Sequence, residues 1–131
     1  MDKLKEILGT LNPQQRQSVE SPPDGPLQIL AGPGSGKTKV LTSRIAHLIL
    51  VNTIPPWNIC AVTFTNKAAN EMKERLHKLI GQRSTKQLQM GTFHALCAKF
   101  LRKHGGLVSL EENFTICDAD ERFAVKSLRE V

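Results

Sequence analysis

Apolar residues recur at helical spacing in three long stretches of this chain, and short apolar runs lie between them. Leu41, Ile45, Leu48 and Ile49 stand at i, i+4, i+7 and i+8, which predicts a helix with that face buried. Ala68, Ala69, Met72, Leu76, Leu79 and Ile80 form a second stripe that ends near Gly81. Phe93, Leu96, Cys97, Phe100 and Leu101 form a third, closed by Gly105-Gly106. The runs at 27–30, 59–64 and 88–90 read as strands. Upstream, residues 4–8 suit a short helix. Asn12, an N-cap followed by Pro13 at the first helical position, opens another over 13–20. The segment 21–26, with three prolines and a glycine, is a connector, and Pro55-Pro56 is a break. Beyond Gly106, residues 114–117 suit a short strand. Asp118 and Glu121 form a capping pair for a last helix with Ala124, Leu128 and Val131 on one side. Helices alternating with strands imply an α/β fold with a parallel sheet and right-handed crossovers.

The residues between the first strand and the first long helix add chemistry to that outline. They read Ala31-Gly32-Pro33-Gly34-Ser35-Gly36-Lys37-Thr38. Strand, glycine-rich loop, Lys-Thr and helix is the order a phosphate-binding loop requires. Glycines let backbone N–H groups converge on phosphate oxygens, and the helix N-terminus adds positive potential there. Lys37 is placed to reach the β- and γ-phosphates, and the Thr38 hydroxyl to sit on Mg2+. Ala31 occupies the position of the pattern's first glycine, which alanine fills if its φ stays negative. The plainer alternative is an ordinary glycine-rich turn before a helix.

Composition narrows the setting. At 131 residues with 40% hydrophobic content, the chain suits one domain with a modest core. No apolar run approaches a membrane span, and the N-terminus lacks the apolar core of a signal peptide. Cys60, Cys97 and Cys117 are odd in number and far apart, which fits reduced intracellular thiols and excludes a Cys-x-x-Cys metal site. Cys97 reads most simply as a small core residue. The net charge of +6 is concentrated: residues 67–103 hold nine Lys/Arg against two Asp/Glu. Such a patch suits a polyphosphate partner. Part of it also suits a solvated helix face, because Glu71 precedes Arg75 and Glu74 precedes Lys78 by four. An ATP-hydrolysing site needs a second, acidic element at a strand end. The one look-alike is the short run before Asp118, Asp120 and Glu121, where helix capping is the better explanation.

With these blocks placed, the chain resembles the N-terminal part of a superfamily 1 DNA helicase of the UvrD/Rep/PcrA group, over about residues 5–131. Residues 11–19, Leu-Asn-Pro-Gln-Gln-Arg-Gln-Ser-Val, resemble the group's adenine-reading glutamine motif. Residues 31–38 resemble its motif I, which also begins with alanine. Residues 61–69, Ala-Val-Thr-Phe-Thr-Asn-Lys-Ala-Ala, resemble motif Ia, and Gly91-Thr92-Phe93-His94 resembles motif Ib. The runs 37–44 and 70–76 look most like a fungal anti-recombination branch.

The resemblance implies a P-loop, RecA-like parallel sheet flanked by helices, incomplete here. Residues 1–106 would be the first part of motor domain 1A, and 107–131 the start of an inserted helical subdomain, 1B. It implies ATP and Mg2+ as cofactors. Gln15 would bond the adenine edge, and Ala31, Gly32, Pro33, Gly34, Ser35, Gly36, Lys37, Thr38 and Lys39 would form the nucleotide site, with Lys37 and Thr38 catalytic. Lys39 replaces an arginine that lies near the base in relatives, and a point charge does not stack as arginine does. Thr63, Phe64, Thr65, Asn66, Thr92 and His94 would contact single-stranded DNA, with Phe64 stacking on a base. On pattern alone a place in the core is the lesser alternative for Phe64, a structural hydrogen bond is an equal one for His94, and Phe93 reads as core. The activity implied is ATP-driven 3′–5′ translocation and unwinding in repair or recombination. The partners implied are single-stranded DNA and duplex junctions, with no membrane. The setting would be the nucleus in a eukaryote and the cytoplasm otherwise. The acidic motif, the arginine fingers and the second motor domain are expected beyond the position equivalent to Val131, leaving this part alone inactive. Two alternatives stand beside this reading. One is an unrelated P-loop kinase, which needs a phosphoacceptor site and an arginine-rich lid. The other is a stand-alone nucleic-acid-binding module with a vestigial nucleotide site.

Overall fold

The computed structural model describes residues 2–30, 32 and 36–109, and the chain divides after Thr92 into two units. Ala31, Pro33, Gly34 and Ser35 lie outside the described residues. So do the expected strand at 114–117, the Asp118–Glu121 pair, Asp120, Cys117 and the helix carrying Ala124, Leu128 and Val131. The first unit runs α1 (Asp2–Gly9), α2 (Pro13–Glu20), α3 (Lys37–Leu50), a 3-10 turn (Pro56–Asn58), β1 (Cys60–Thr63), α4 (Asn66–Gln87) and β2 (Gln89–Thr92).

The two strands pair in parallel, in register from Cys60 opposite Gln89 to Thr63 opposite Thr92. A parallel pair needs a crossover connection, and α4 supplies it. Ile45 of α3, Ala61 of β1, Met72 and Leu76 of α4 and Leu88 form one core cluster, with Ile49, Ile59, Ile80 and Met90 packed against it. A second cluster joins Leu11, Val19 of α2 and Val40 of α3, with Leu8 beside it.

Two expectations are corrected. Residues 27–30 are not a strand, and Leu27, Ile29 and Leu30 are exposed. A strand is held by ladder bonds to a neighbour, and the two strands among the described residues bond to each other. The buried face of α3 is also turned from the one its largest side chains suggest. Leu41 is 41% exposed, whereas Val40, Ile45, Ala46, Thr42, Ser43 and His47 are buried. Small polar residues are tolerated there because Thr42 donates its hydroxyl to the carbonyls of Thr38 and Lys39, at 2.9 and 3.2 Å. The first helical segment of α4 does end near Gly81, as expected, and a second segment follows it. Gly81 bends the chain there with a φ of 86°, a conformation that favours glycine, and the helix resumes to Gln87. The buried Thr85 ties the second segment to the bend by donating to the Gly81 carbonyl at 2.7 Å.

The second unit contains α5 (Phe93–His104) and a 3-10 turn (Gly105–Val108). The helix stops at the expected glycines. Leu96 is buried and Cys97 half-buried, but Phe93, expected in the core, is 65% exposed, and Phe100 and Leu101 are exposed as well. Ring contact with His94, edge to face at 6.3 Å, is the aromatic neighbour Phe93 has. No helix among the described residues is long and apolar enough to cross a membrane.

Candidate functional site

Asn12 does more than start α2. Its Oδ1 accepts the Gln15 backbone N–H at 2.8 Å, and its own N–H donates to Gln15 Oε1 at 3.0 Å, a complete capping box. That second bond orients the Gln15 amide. Oε1 must face the Asn12 N–H, so Nε2 faces the other way, toward Gly36. A Cβ added at Gly36 would stand 3.3 Å from that nitrogen. Gly36 is the N-cap of α3 and has φ 79° and ψ 30°, in the left-handed region. The left-handed conformation favours glycine at this position.

A groove of about 290 Å³ opens beside these residues, lined by Asn12, Gln14, Gln15, Ser18, Ile29, Leu30, Gly32 and Val40. Ile29, Leu30 and Val40 give it apolar walls, and the amide-bearing end of α2 gives it polar ones, the mixture a heteroaromatic ring prefers. A smaller cavity of about 210 Å³ shares Ile29 and Val40 with the groove and adds Lys37, Leu41 and Arg44. Lys37 is the first residue of α3 and exposed, and Thr38 follows, half-buried. The α3 N-terminus, with its unsatisfied N–H groups, thus faces the same region as a lysine ammonium. Lys39 is placed differently. Its ammonium donates to the Thr10 carbonyl at 3.2 Å, tying α3 to the connector ahead of Asn12.

Arg44 is a residue whose part the sequence pattern did not disclose. One guanidinium nitrogen donates to the carbonyls of Ser18, Val19 and Ser21, and the other to Pro22 at 3.2 Å. These are carbonyls at and past the end of α2, which lack intrahelical partners. Arg44 thus anchors the C-terminal end of the helix whose N-terminal end carries Gln15. Arg44→Ala is expected to lower unfolding stability by about 2 kcal/mol, since buried carbonyls lose a charged donor. Arg44→Lys should recover only part of it, because a single ammonium cannot replace a planar fork. Urea unfolding of the three proteins measures this.

The second cluster of candidates sits at the C-terminal end of the sheet. Thr63 and Thr92 end β1 and β2 opposite one another. Thr63 donates its hydroxyl to the Thr65 carbonyl at 3.1 Å and to that of Gly91 at 3.5 Å, fixing the turn that follows β1. Thr65 caps α4, its Oγ1 accepting the Ala68 N–H at 3.1 Å, and Asn66 begins the helix. Between them Phe64 is 100% exposed. Within this chain Phe64 therefore takes no part in the core. His94 is exposed on α5 in the second unit. The expected pairs Glu71–Arg75 and Glu74–Lys78 do not close to 4 Å; among the described residues Arg16–Glu20, at 3.2 Å, is the ion pair that forms. Exposed pairs of this kind gain only tenths of a kcal/mol, about 0.3–0.5, too little to hold two long side chains together.

Comparison with known proteins places these features in a lineage. The family model described as the UvrD/REP helicase N-terminal domain matches residues 11–130. The chain is 44% identical over 126 residues to the ATP-dependent DNA helicase PcrA of Staphylococcus aureus (strain NCTC 8325 / PS 47), covering 95% of this chain and 17% of that protein. It is likewise 44% identical over 120 residues to the ATP-dependent DNA helicase PcrA of Bacillus subtilis (strain 168), covering 92% and 16%. The chain therefore spans about one-sixth of the length of the curated relatives it matches.

Proposed function

The chain belongs to the UvrD/REP helicase N-terminal domain family, and from that premise we propose that it forms the ATP-binding first part of a motor that moves 3′–5′ along single-stranded DNA and unwinds duplex. The observation that carries this reading is Gln15 and Gly36 meeting at the N-terminus of α3, beside a groove of the right size and polarity for a purine. The small parallel sheet with α4 as crossover is compatible with a RecA-like P-loop fold, of which 1–106 would be the start of domain 1A and 107–131 the start of 1B.

The residues fit the nucleotide on this chain's own geometry, because the left-handed Gly36 starts α3 beside the Gln15 amide and the groove. Gln15 would hold the adenine edge from a preset orientation. The loop 31–36 would surround the phosphates, Lys37 would neutralise their charge, and the Thr38 hydroxyl would ligate Mg2+. ATP supplies the free energy of hydrolysis, and the chain's residues bind and orient it. Lys39 joins the site as a support, through Thr10, more readily than as a contact to the base. Thr63, Phe64, Thr65, Asn66 and Thr92 would form part of a single-strand track at the sheet end, the edge where open parallel sheets bind ligands. His94, in the second unit, would be a further single-stranded DNA contact by the same resemblance.

Catalysis of hydrolysis needs an acidic pair to orient the attacking water. This chain alone is therefore expected to release no DNA-stimulated phosphate, and release should appear when it is joined to the remainder of a helicase of this family. Steady release by the 131-residue chain would overturn that division of labour and point to Asp120 and Glu121. A joined protein that binds DNA without turning over ATP would instead favour the vestigial-site alternative.

A further inference from the structure

A cavity of about 270 Å³ lies between α1, α3 and α4 of the first unit, and no role described above uses it. Ile7 and Leu79 give it apolar wall. Three cations, Lys39, Arg75 and Lys78, stand around it against one carboxylate, Glu6. The Lys39 ammonium already holds the Thr10 carbonyl. Arg75 and Lys78 are exposed, and neither forms an ion pair with a described carboxylate. Ser43, 1% exposed, also lines the cavity.

These features select a ligand. The excess of positive charge favours an anion, and guanidinium beside ammonium suits a carboxylate. The apolar wall calls for an apolar body, and the volume lies just below the range of ordinary ligand pockets, which restricts the body to about one ring or a short alkyl chain. We propose that this cavity binds a small aryl- or alkyl-carboxylate, its carboxylate between Arg75 and Lys78 and its apolar end on Ile7 and Leu79. The cavity shares no lining residue with the nucleotide groove. It stands or falls independently of the helicase reading.

The test uses 4-phenylbutyrate and its neutral analogue 4-phenylbutan-1-ol, titrated into the isotopically labelled 131-residue chain and read by amide chemical shifts. The acid should produce saturable shifts at Ile7, Ser43 and Leu79 and bind at least tenfold more tightly than the alcohol. That difference should shrink with added salt, and in Arg75→Ala/Lys78→Ala it should vanish. Should the double variant fail to fold, the acid and alcohol compared on the unaltered chain still decide. Equal affinities, no saturable binding, or shifts centred on Gln15 and Lys37 instead would overturn the proposal.

Discussion

In a complete helicase containing this chain, Lys37→Ala is expected to abolish ATP-driven unwinding while leaving single-stranded DNA binding within a few-fold of the parent. Lys37 is the first residue of α3, directly after the left-handed Gly36. Its charge and the helix N-terminus would act on the same phosphates, and preset charge of that kind stabilises the transition state more than the bound ground state. Losing one such donor costs about 3 kcal/mol, roughly a hundredfold or more in turnover. The nearest other cation lining the same cavity is Arg44, whose guanidinium is committed to four carbonyls at the end of α2. Among the described residues, no other cation that lines that cavity is free to replace it. Phosphate release and strand separation, measured with DNA binding on the same preparation, separate a lost motor from a lost grip. Unwinding at the parental rate would remove Lys37 from the site.

Phe64→Ala should weaken single-stranded DNA binding by about 1–3 kcal/mol, with little dependence on base sequence. The exposure of Phe64 sharpens this expectation. A ring that is 100% exposed contributes no core packing, so the variant should keep its stability within about 0.5 kcal/mol. Lys67→Ala should behave differently. Lys67 forms no ion pair with a described carboxylate, and if it meets a phosphate its loss flattens the salt dependence by about one unit of slope. Salt titrations of both variants distinguish stacking from charge. A Phe64→Ala protein with undiminished DNA affinity would remove the ring from the track.

What could be read from the chain was mostly local. Asn12, Pro13 and Gln15 are three residues apart at most, and the helix they open begins where the spacing puts it. The capping box was itself legible as Asn-x-x-Gln, although its consequence, an oriented Gln15 amide, needed the position of Gly36. The stretch 27–30 has the composition of a strand, but a strand exists only with a ladder partner, which sequence spacing does not provide. The α3 face was misread because Thr42 and Ser43 look like surface residues. They are buried where their small size lets neighbours approach, with the Thr42 hydroxyl bonded within its own helix. Arg44 escaped because its partners are carbonyls 22–26 residues away, and backbone acceptors leave no mark in sequence. Phe64 and Phe93 read alike as apolar residues at element ends. Both are exposed, because an end position commits neither ring to the core.

The central claim is that Gln15 and the start of α3 together hold a nucleotide. Titration of ATP with Mg2+ into the 131-residue chain, followed by amide chemical shifts, tests it most directly. Saturable shifts at Gln15, Gly36, Lys37 and Val40 are expected, and Lys37→Ala should weaken them at least tenfold. Saturation without shifts at these residues, or no saturable binding by the folded chain, would contradict it.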